Sequence, residues 1–303
     1  MSELNQAVID PAAKALMDVI KPAFDAELAK GFEAMKANMG IRKIHIVNPD
    51  GKINRIEGQV NKVFDMVVKL THGGNNVMIV GPAGSGKTTL AAQVASALGL
   101  PYWSQSLSEG VTESSLFGKL LPIGEGGRFE YCASPYIKMY EEGGLFLLDE
   151  FDAANANVGV ALNQSLAQTH FFSELRVQAG LNGFIKRHEK TRIMAACNTF
   201  GKGGSIIYSG RNQLDAATTD RFYMVYMDYD EALEKQIGSV EVVDWVHKLR
   251  RRVRELEIHE VVSTRMIIRM DAAINCGART FREAKSDALL SWSLDHRIQV
   301  GEA

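Results

Sequence analysis

The sequence predicts an α/β protein, a doubly wound parallel sheet followed by a smaller C-terminal helical region. Three observations carry this. Residues 76–98 read as a short apolar run, Asn76-Val-Met-Ile-Val80, then a glycine loop, Gly81-Pro-Ala-Gly-Ser-Gly-Lys-Thr-Thr89, then a helix, Leu90–Leu98. Residues Gly143-Gly-Leu-Phe-Leu-Leu-Asp-Glu150 form an uninterrupted apolar run ending in two acids, the pattern of a strand buried on both faces. Strand-like and helix-like segments alternate over 56–228 and give way to helical spacing from Tyr229 onward.

Each element follows in order. Apolar residues at helical spacing (Leu16, Ile20, Phe24, Leu28, Phe32, Met35) predict one or two helices over 11–38. A strand over Lys43–Val47, bounded by Gly40 and the Pro49-Asp-Gly51 turn, predicts a hairpin leading to Ile56-Glu-Gly58. An amphipathic helix spans Gln59–Leu70 and precedes the glycine-loop strand. A strand and loop occupy Tyr102–Ser108, and a hairpin about Gly124-Glu-Gly-Gly127 occupies 118–131. After the acidic strand come a helix over Val158–Thr169, a second hairpin over Phe171–Arg187 and a buried strand, Arg192–Cys197. The domain division is therefore 1–55, 56–228 and 229–303.

Composition narrows the class. With 303 residues, 46% hydrophobic, the chain buries a substantial core in about two domains. A net charge of −2 supplies no bulk basic field for nucleic acid. The three cysteines, Cys132, Cys197 and Cys276, show no paired spacing, which argues for a reducing compartment. No apolar stretch approaches the ~18–20 residues of a membrane span, and Met1-Ser-Glu-Leu-Asn5 lacks signal-peptide character. A cytoplasmic protein with no membrane partner is expected.

The glycine loop predicts binding of a nucleoside triphosphate. Its glycines let successive backbone N–H groups turn inward toward phosphate oxygens, and the following helix adds its positive end. Gly81, Pro82, Ala83, Gly84, Ser85, Gly86, Lys87, Thr88 and Thr89 are the candidate phosphate cradle, with Lys87 on the β- and γ-phosphates and the Thr88 hydroxyl on Mg²⁺. Carboxylates at the end of a buried parallel strand emerge where such sheets bind ligands. Asp149 is thus expected to hold Mg²⁺, directly or through water, and Glu150 to orient and polarise the attacking water. Gly58 is expected beside the base. Asn198 ends the 192–197 strand, Arg221 ends a helix just before the strand Tyr223–Met227, and Arg265 opens a helix after Ser263-Thr264.

The order of these features resembles the AAA+ ATPases. Gly81–Thr88 stands as Walker A, Asp149-Glu150 as Walker B, Asn198 as sensor 1, Arg221 as the arginine finger and Arg265 as sensor 2. The match covers roughly 56–270. It is most similar to the clade with an insert in its second helix, which includes MoxR-like and dynein-related proteins, and within it to the cobaltochelatase ATPase subunit. The 118–131 and 171–187 hairpins stand where that clade carries its insert and its extra hairpin. Sensor 2 reads Ser-Thr-Arg, where relatives often have Ser-Pro-Arg.

The resemblance implies a ring, a hexamer in most of the family, in which Arg221 completes the neighbour's site. A finger in trans is worth about 10³–10⁵ in turnover, and such a contact is head-to-tail. Arg211 is a second candidate finger, and Arg265 serves either its own or a neighbour's nucleotide. The implied activity is ATP hydrolysis with ATP and Mg²⁺, driving remodelling of a protein client, a von Willebrand A-type domain protein in several relatives. A metal-chelatase motor subunit is the alternative. A nucleic-acid motor is disfavoured by charge, and a small-molecule kinase by Glu150. The basic run Lys248-Leu-Arg-Arg-Arg-Val-Arg254 reads as a solvated helix, Trp103, Trp245 and Trp292 as core, and His188 as a turn residue.

Overall fold

The structure, a computed structural model, describes residues 44–47, 53–56, 59–123, 125–167, 174–176 and 184–302. The helices expected over 11–38, and Gly58, lie outside the described residues. At the N-terminal side, β1 (Ile44–Val47) pairs antiparallel with β2 (Ile53–Ile56), the expected hairpin. Helix α1 (Phe64–His72), β3 (Val77–Val80) and α2 (Lys87–Leu98) follow, and the loop between the last two is the glycine run. Gly99 closes α2 in the left-handed region, its N–H returning to Ser96 O, so the chain turns back toward the sheet without a Cβ clash.

Next come β4 (Tyr102–Ser106), the short helix α3 (Glu113–Phe117) and the antiparallel pair β5 (Lys119–Leu121) and β6 (Glu130–Cys132). Helix α4 (Pro135–Glu142) was not anticipated. Its signal is a cap: the Ser134 hydroxyl accepts the Ile137 N–H at 3.1 Å and Pro135 occupies the first helical position. Its helical spacing is too short to stand out in a window. Strand β7 (Gly144–Asp149) carries the two acids to its exit. Helix α5 (Ala156–Leu162) starts earlier and ends sooner than expected, because Asn155 caps the Asn157 N–H. The second hairpin is present as β8 (Glu174–Arg176) against β9 (Phe184–Lys186). Then come β10 (Thr191–Cys197), α6 (Ala216–Thr219) and β11 (Tyr223–Tyr226).

The central sheet has the order β11–β3–β10–β7–β4, and every neighbouring pair is parallel. Alternation along the strands sorts the core into two layers. Val77, Ile79, Leu145, Leu147, Met194 and Ala196 face α1 and α2, while Met78, Val80, Phe146, Leu148, Ile193 and Ala195 face α3, α4 and α5. Both sets are fully buried, which is why these strands read as continuous apolar runs. Each of these Val, Leu, Ile, Met and Phe side chains stabilises the fold by about 1.5–3 kcal/mol relative to exposure.

Past β11 the chain is helical: α7 (Glu231–Ile237), α8 (Val240–Glu255), α9 (Thr264–Asn275), α10 (Phe281–Ala288) and α11 (Leu294–Gln299). They enclose their own core, with Val242, Val246, Leu249, Ile267 and Trp292 at its centre. Trp245 and Trp292 are buried here as expected, and Trp103 is half-buried against the sheet. No helix among the described residues is long and apolar enough to cross a membrane.

One expectation is corrected. The basic run on α8 is not wholly solvated, because Arg250 is buried. It donates from Nη1 and Nη2 to Glu234 at 2.8 and 2.7 Å and from Nε to Val262 O at 2.9 Å. Helical spacing alone put Arg250 among solvated neighbours; its partners come from α7 and the α8–α9 connection.

Candidate functional site

The site forms where the carboxyl ends of β3, β10 and β7 adjoin. Because β3 lies between β10 and β11 while the chain leaves it for the far edge, a crevice opens at its exit, the usual ligand position in open α/β sheets. Gly81 leaves β3 there, its N–H bonded to Cys197 O at 3.1 Å. A Cβ on Gly81 would fall 1.9 Å from Met227 O, so only glycine lets the loop pass under the exit of β11. Gly84 has φ +71°, and a Cβ there would meet Ser263 at 2.7 Å. The loop and the start of α9 are in direct contact.

The Lys87 ammonium donates to Gly81 O (2.8 Å), Pro82 O (2.9 Å) and Asn198 Oδ1 (2.8 Å), so its three protons are all directed into the loop and onto β10's exit. Burial lowers its pKa from 10.5 to about 8, against the opposing pull of Asp149 and Asp152. The Thr88 hydroxyl donates to Asp149 Oδ2 at 2.7 Å. These two hard oxygens, side by side at the mouth of the loop, suit Mg²⁺.

Glu150 adopts a left-handed conformation, φ 53° and ψ 38°, which costs a residue with a Cβ about 1–3 kcal/mol and is a strain concentrated at functional positions. Its carboxylate receives Ser106 Oγ at 3.3 Å and lies 3.5 Å from Arg211 Nη2. Lys87, Thr88, Asp149, Glu150, Asn198 and Arg265 line one cavity of about 300 Å³, together with Ala83, Gly84, Gly86 and Thr89. Thus Arg265, on α9, meets the loop of its own chain.

Arg221 is not part of this assembly. Its Nε donates to Asn163 O at 3.1 Å and Nη1 donates to Ala217 O, while its own carbonyl accepts from Asn76 Nδ2 at 3.2 Å. Tyr223 pairs with Val77, so Arg221 stands at the amino end of the sheet, roughly 20 Å from the glycine loop at about 3.3 Å per residue. It serves no phosphate held by its own chain. His188 is a turn residue as expected, its Nδ1 accepting the Lys190 N–H at 3.1 Å.

Three side chains at this site went unforeseen. Asp152 is fully buried, and its Oδ2 accepts Asn198 N (3.0 Å), Thr199 N (2.8 Å) and Thr199 Oγ1 (2.9 Å), which fixes the direction of Asn198. The Ala83 N–H donates to Tyr208 Oη at 2.9 Å, and Tyr229 Oη donates to Ala83 O at 2.9 Å. The Arg250 guanidinium covers the Tyr229 ring at 4.1 Å. The loop is therefore tied through Tyr229 and Arg250 to Glu234, which also accepts from Thr264 and from His247 Nε2 at 2.8 Å. Desolvation pushes the Glu234 carboxyl up, but the bonds from Arg250, Thr264 and His247 outweigh it and hold it below the usual carboxylate range. For Asp152 the sequence carried one weak sign, a third acid just past Asp149-Glu150; the tyrosines carried none.

The profile of the AAA domain (dynein-related subfamily) matches residues 76–222. Midasin of Dictyostelium discoideum is 30% identical over 154 residues, 50% of this chain and 2% of that protein. The aerobic cobaltochelatase subunit CobS of a Sinorhizobium species is 27% identical over 167 residues, 52% of this chain and 48% of that one. An uncharacterized protein of Staphylococcus haemolyticus is 28% identical over 170 residues, 55% of this chain and 60% of that one. The matched stretch is thus a sliver of midasin and about half of the others. The matched segment contains the glycine loop, both strand-end acids, Asn198 and Arg221, in the parallel sheet order described above. Residues 76–222 of the chain thus form an AAA domain of the dynein-related subfamily.

Proposed function

We propose that the chain binds Mg-ATP on residues 81–89, hydrolyses it within a ring of like subunits, and uses the cycle to remodel a partner protein. The observation that carries this is the convergence of Lys87, Thr88, Asp149, Glu150, Asn198 and Arg265, from four separate segments, on one cavity. Phosphate oxygens on the loop replace the Gly81 and Pro82 carbonyls as acceptors for Lys87, whose ammonium a polyanion keeps protonated. Asn198 Oδ1 and Glu150 orient the attacking water, and Glu150 takes up its proton as the water oxygen bonds to Pγ and the bond from Pγ to the β–γ bridging oxygen breaks, releasing ADP. Bound at Thr88 and Asp149, Mg²⁺ supplies charge neutralisation of the β- and γ-phosphates. Arg265 lies against the same phosphates from α9, so loss of the γ-phosphate frees the helical region to move relative to the sheet.

Arg221, remote from its own loop, supports assignment as a finger acting on a neighbour. The expected ring is a hexamer in the cytoplasm. The similarity to a cobaltochelatase subunit favours a second reading, the motor of a metal chelatase. A von Willebrand A-type partner is the client class to test first, and the net charge of −2 disfavours nucleic acid. The test is Glu150→Gln. It should bind ATP as the wild type does, turn it over at a rate lower by at least about two orders of magnitude, and grow from small species to a ring-sized particle with ATP in light scattering. Undiminished turnover would refute the catalytic assignment, and a monomer at every nucleotide concentration would refute the ring.

A further inference from the structure

Arg211 is a cation held inside its own subunit. Its side chain is 13% exposed, with Nη2 3.5 Å from Glu150 Oε1 and Nη1 3.5 Å from Asp152 Oδ1. The backbone beside it is pinned to the same segment: Asn212 N–H donates to Asp152 O at 2.7 Å and Asn212 Nδ2 to Ala154 O at 3.0 Å. Asp152, fully buried, gives its second oxygen to the Asn198 and Thr199 amides. A buried carboxylate with no cation would carry a large desolvation cost; Arg211 is the cation paired with its Oδ1, and the Lys87 ammonium lies within the same field. One guanidinium therefore links the strained Glu150, through Asp152, to the backbone that carries Asn198.

We infer that Arg211 is a cis positioning residue, holding the Glu150 carboxylate in register with Asn198 rather than reaching a neighbour's phosphate. The inference rests on the reading of Glu150 as the group that activates water. Glu150 has two side-chain torsions beyond its Cβ and is half exposed, and among the described residues the Ser106 hydroxyl is the other side-chain group that holds its carboxylate. Arg211 fastens one oxygen and Ser106 the other, leaving the remaining lone pairs to face the cavity. A planar guanidinium reaches both carboxylates at once; an ammonium meets one.

The test is steady-state ATPase of Arg211→Ala and Arg211→Lys, each alone and in the Glu150→Gln background, with ATP binding followed by a fluorescent analogue. Loss of register lowers kcat by about 10- to 100-fold, since a displacement near 1 Å costs on that order, while the nucleotide Kd changes by less than about threefold. In the Glu150→Gln background the same substitutions change kcat no further, because the group they act through is gone. If Arg211→Ala does not fold once Asp152 loses its cation, Arg211→Lys, which retains the charge, carries the measurement. A mixture of Arg211→Ala with Glu150→Gln subunits separates cis from trans. A cis role leaves the mixture no more active than Arg211→Ala alone, whereas a finger in trans is donated by the Glu150→Gln subunits and restores turnover, which overturns the inference. Unchanged kcat, or an equal loss in both backgrounds, also overturns it. A wild-type chain that binds ATP without hydrolysing it removes the catalytic reading itself, a failure distinguished by there being no turnover to lose.

Discussion

Replacing Arg250 with methionine is the perturbation whose consequence the structure specifies most fully. Arg250 and Glu234 are buried, the pair is bidentate at 2.8 and 2.7 Å, and Nε holds Val262 O at 2.9 Å. In Arg250→Met, Glu234 keeps only His247 Nε2 and the Thr264 hydroxyl. An uncompensated buried charge costs about 3–5 kcal/mol, a large share of the roughly 5–15 kcal/mol that holds a domain folded. The loss falls on the C-terminal helices, where Trp245 and Trp292 sit in the core. In a Trp103→Phe background, urea unfolding followed by fluorescence reports that region alone. With a slope of about 1–2 kcal/mol/M for a unit of this size, the midpoint should fall by roughly 1.5–5 M. The double variant Glu234→Leu/Arg250→Met should lose less than the single, because no charge remains to be stranded. A single variant that loses under about 1 kcal/mol, or a double variant that loses more than the single, would refute the argument.

Three further outcomes follow from the same geometry. Because burial lowers the Lys87 pKa to about 8 and bound phosphate favours the cation, nucleotide affinity should fall as pH rises through 8, by at most tenfold per unit, and binding there should take up a proton; titration calorimetry in buffers of different ionisation enthalpy reads this, and a flat profile from pH 7 to 9 contradicts it. The same shift means the unfolded chain binds more protons than the folded one between pH 8 and 10.5, so the cost of burying the Lys87 cation, about 3 kcal/mol, is fully present below pH 7 and is relieved as pH rises over that window; denaturant midpoints of wild type and Lys87→Met should converge at high pH. Gly81→Ala puts a methyl 1.9 Å from Met227 O, which cannot yield without moving β11's exit, so stability should drop by about 1–3 kcal/mol and ATP binding with it; wild-type affinity in that variant would show the loop to be more pliant than its packing implies.

The parts of the site legible in the sequence are those written in consecutive residues. The glycine loop declares itself because a tight anion-binding turn needs particular residues at fixed offsets, and Asp149-Glu150 because a strand buried on both faces has no polar residue until it emerges. Asn198 was legible for the same reason at the end of β10. Helix α4 was missed because eight residues carry little periodicity and its cap is a two-residue signal. Arg250 was misread because one arginine among several on a helix takes its character from what packs against it, and Glu234 lies 16 positions away.

By itself the sequence determined the α/β class, the hairpins, the phosphate loop and the two strand-end acids, since local sterics and apolar periodicity act within a few residues. Only the tertiary structure decided which side chains share the site. It brings Arg265 to its own chain's loop and sets Arg221 at the far end of the sheet. It also turns Arg211 inward onto Glu150 and Asp152, and ties Ala83 to Tyr208 and Tyr229, 125 and 146 positions distant. These contacts depend on strand order and on the angle at which the C-terminal helices return to the loop. Both are set by burial summed over the whole core, which no short window of residues encodes.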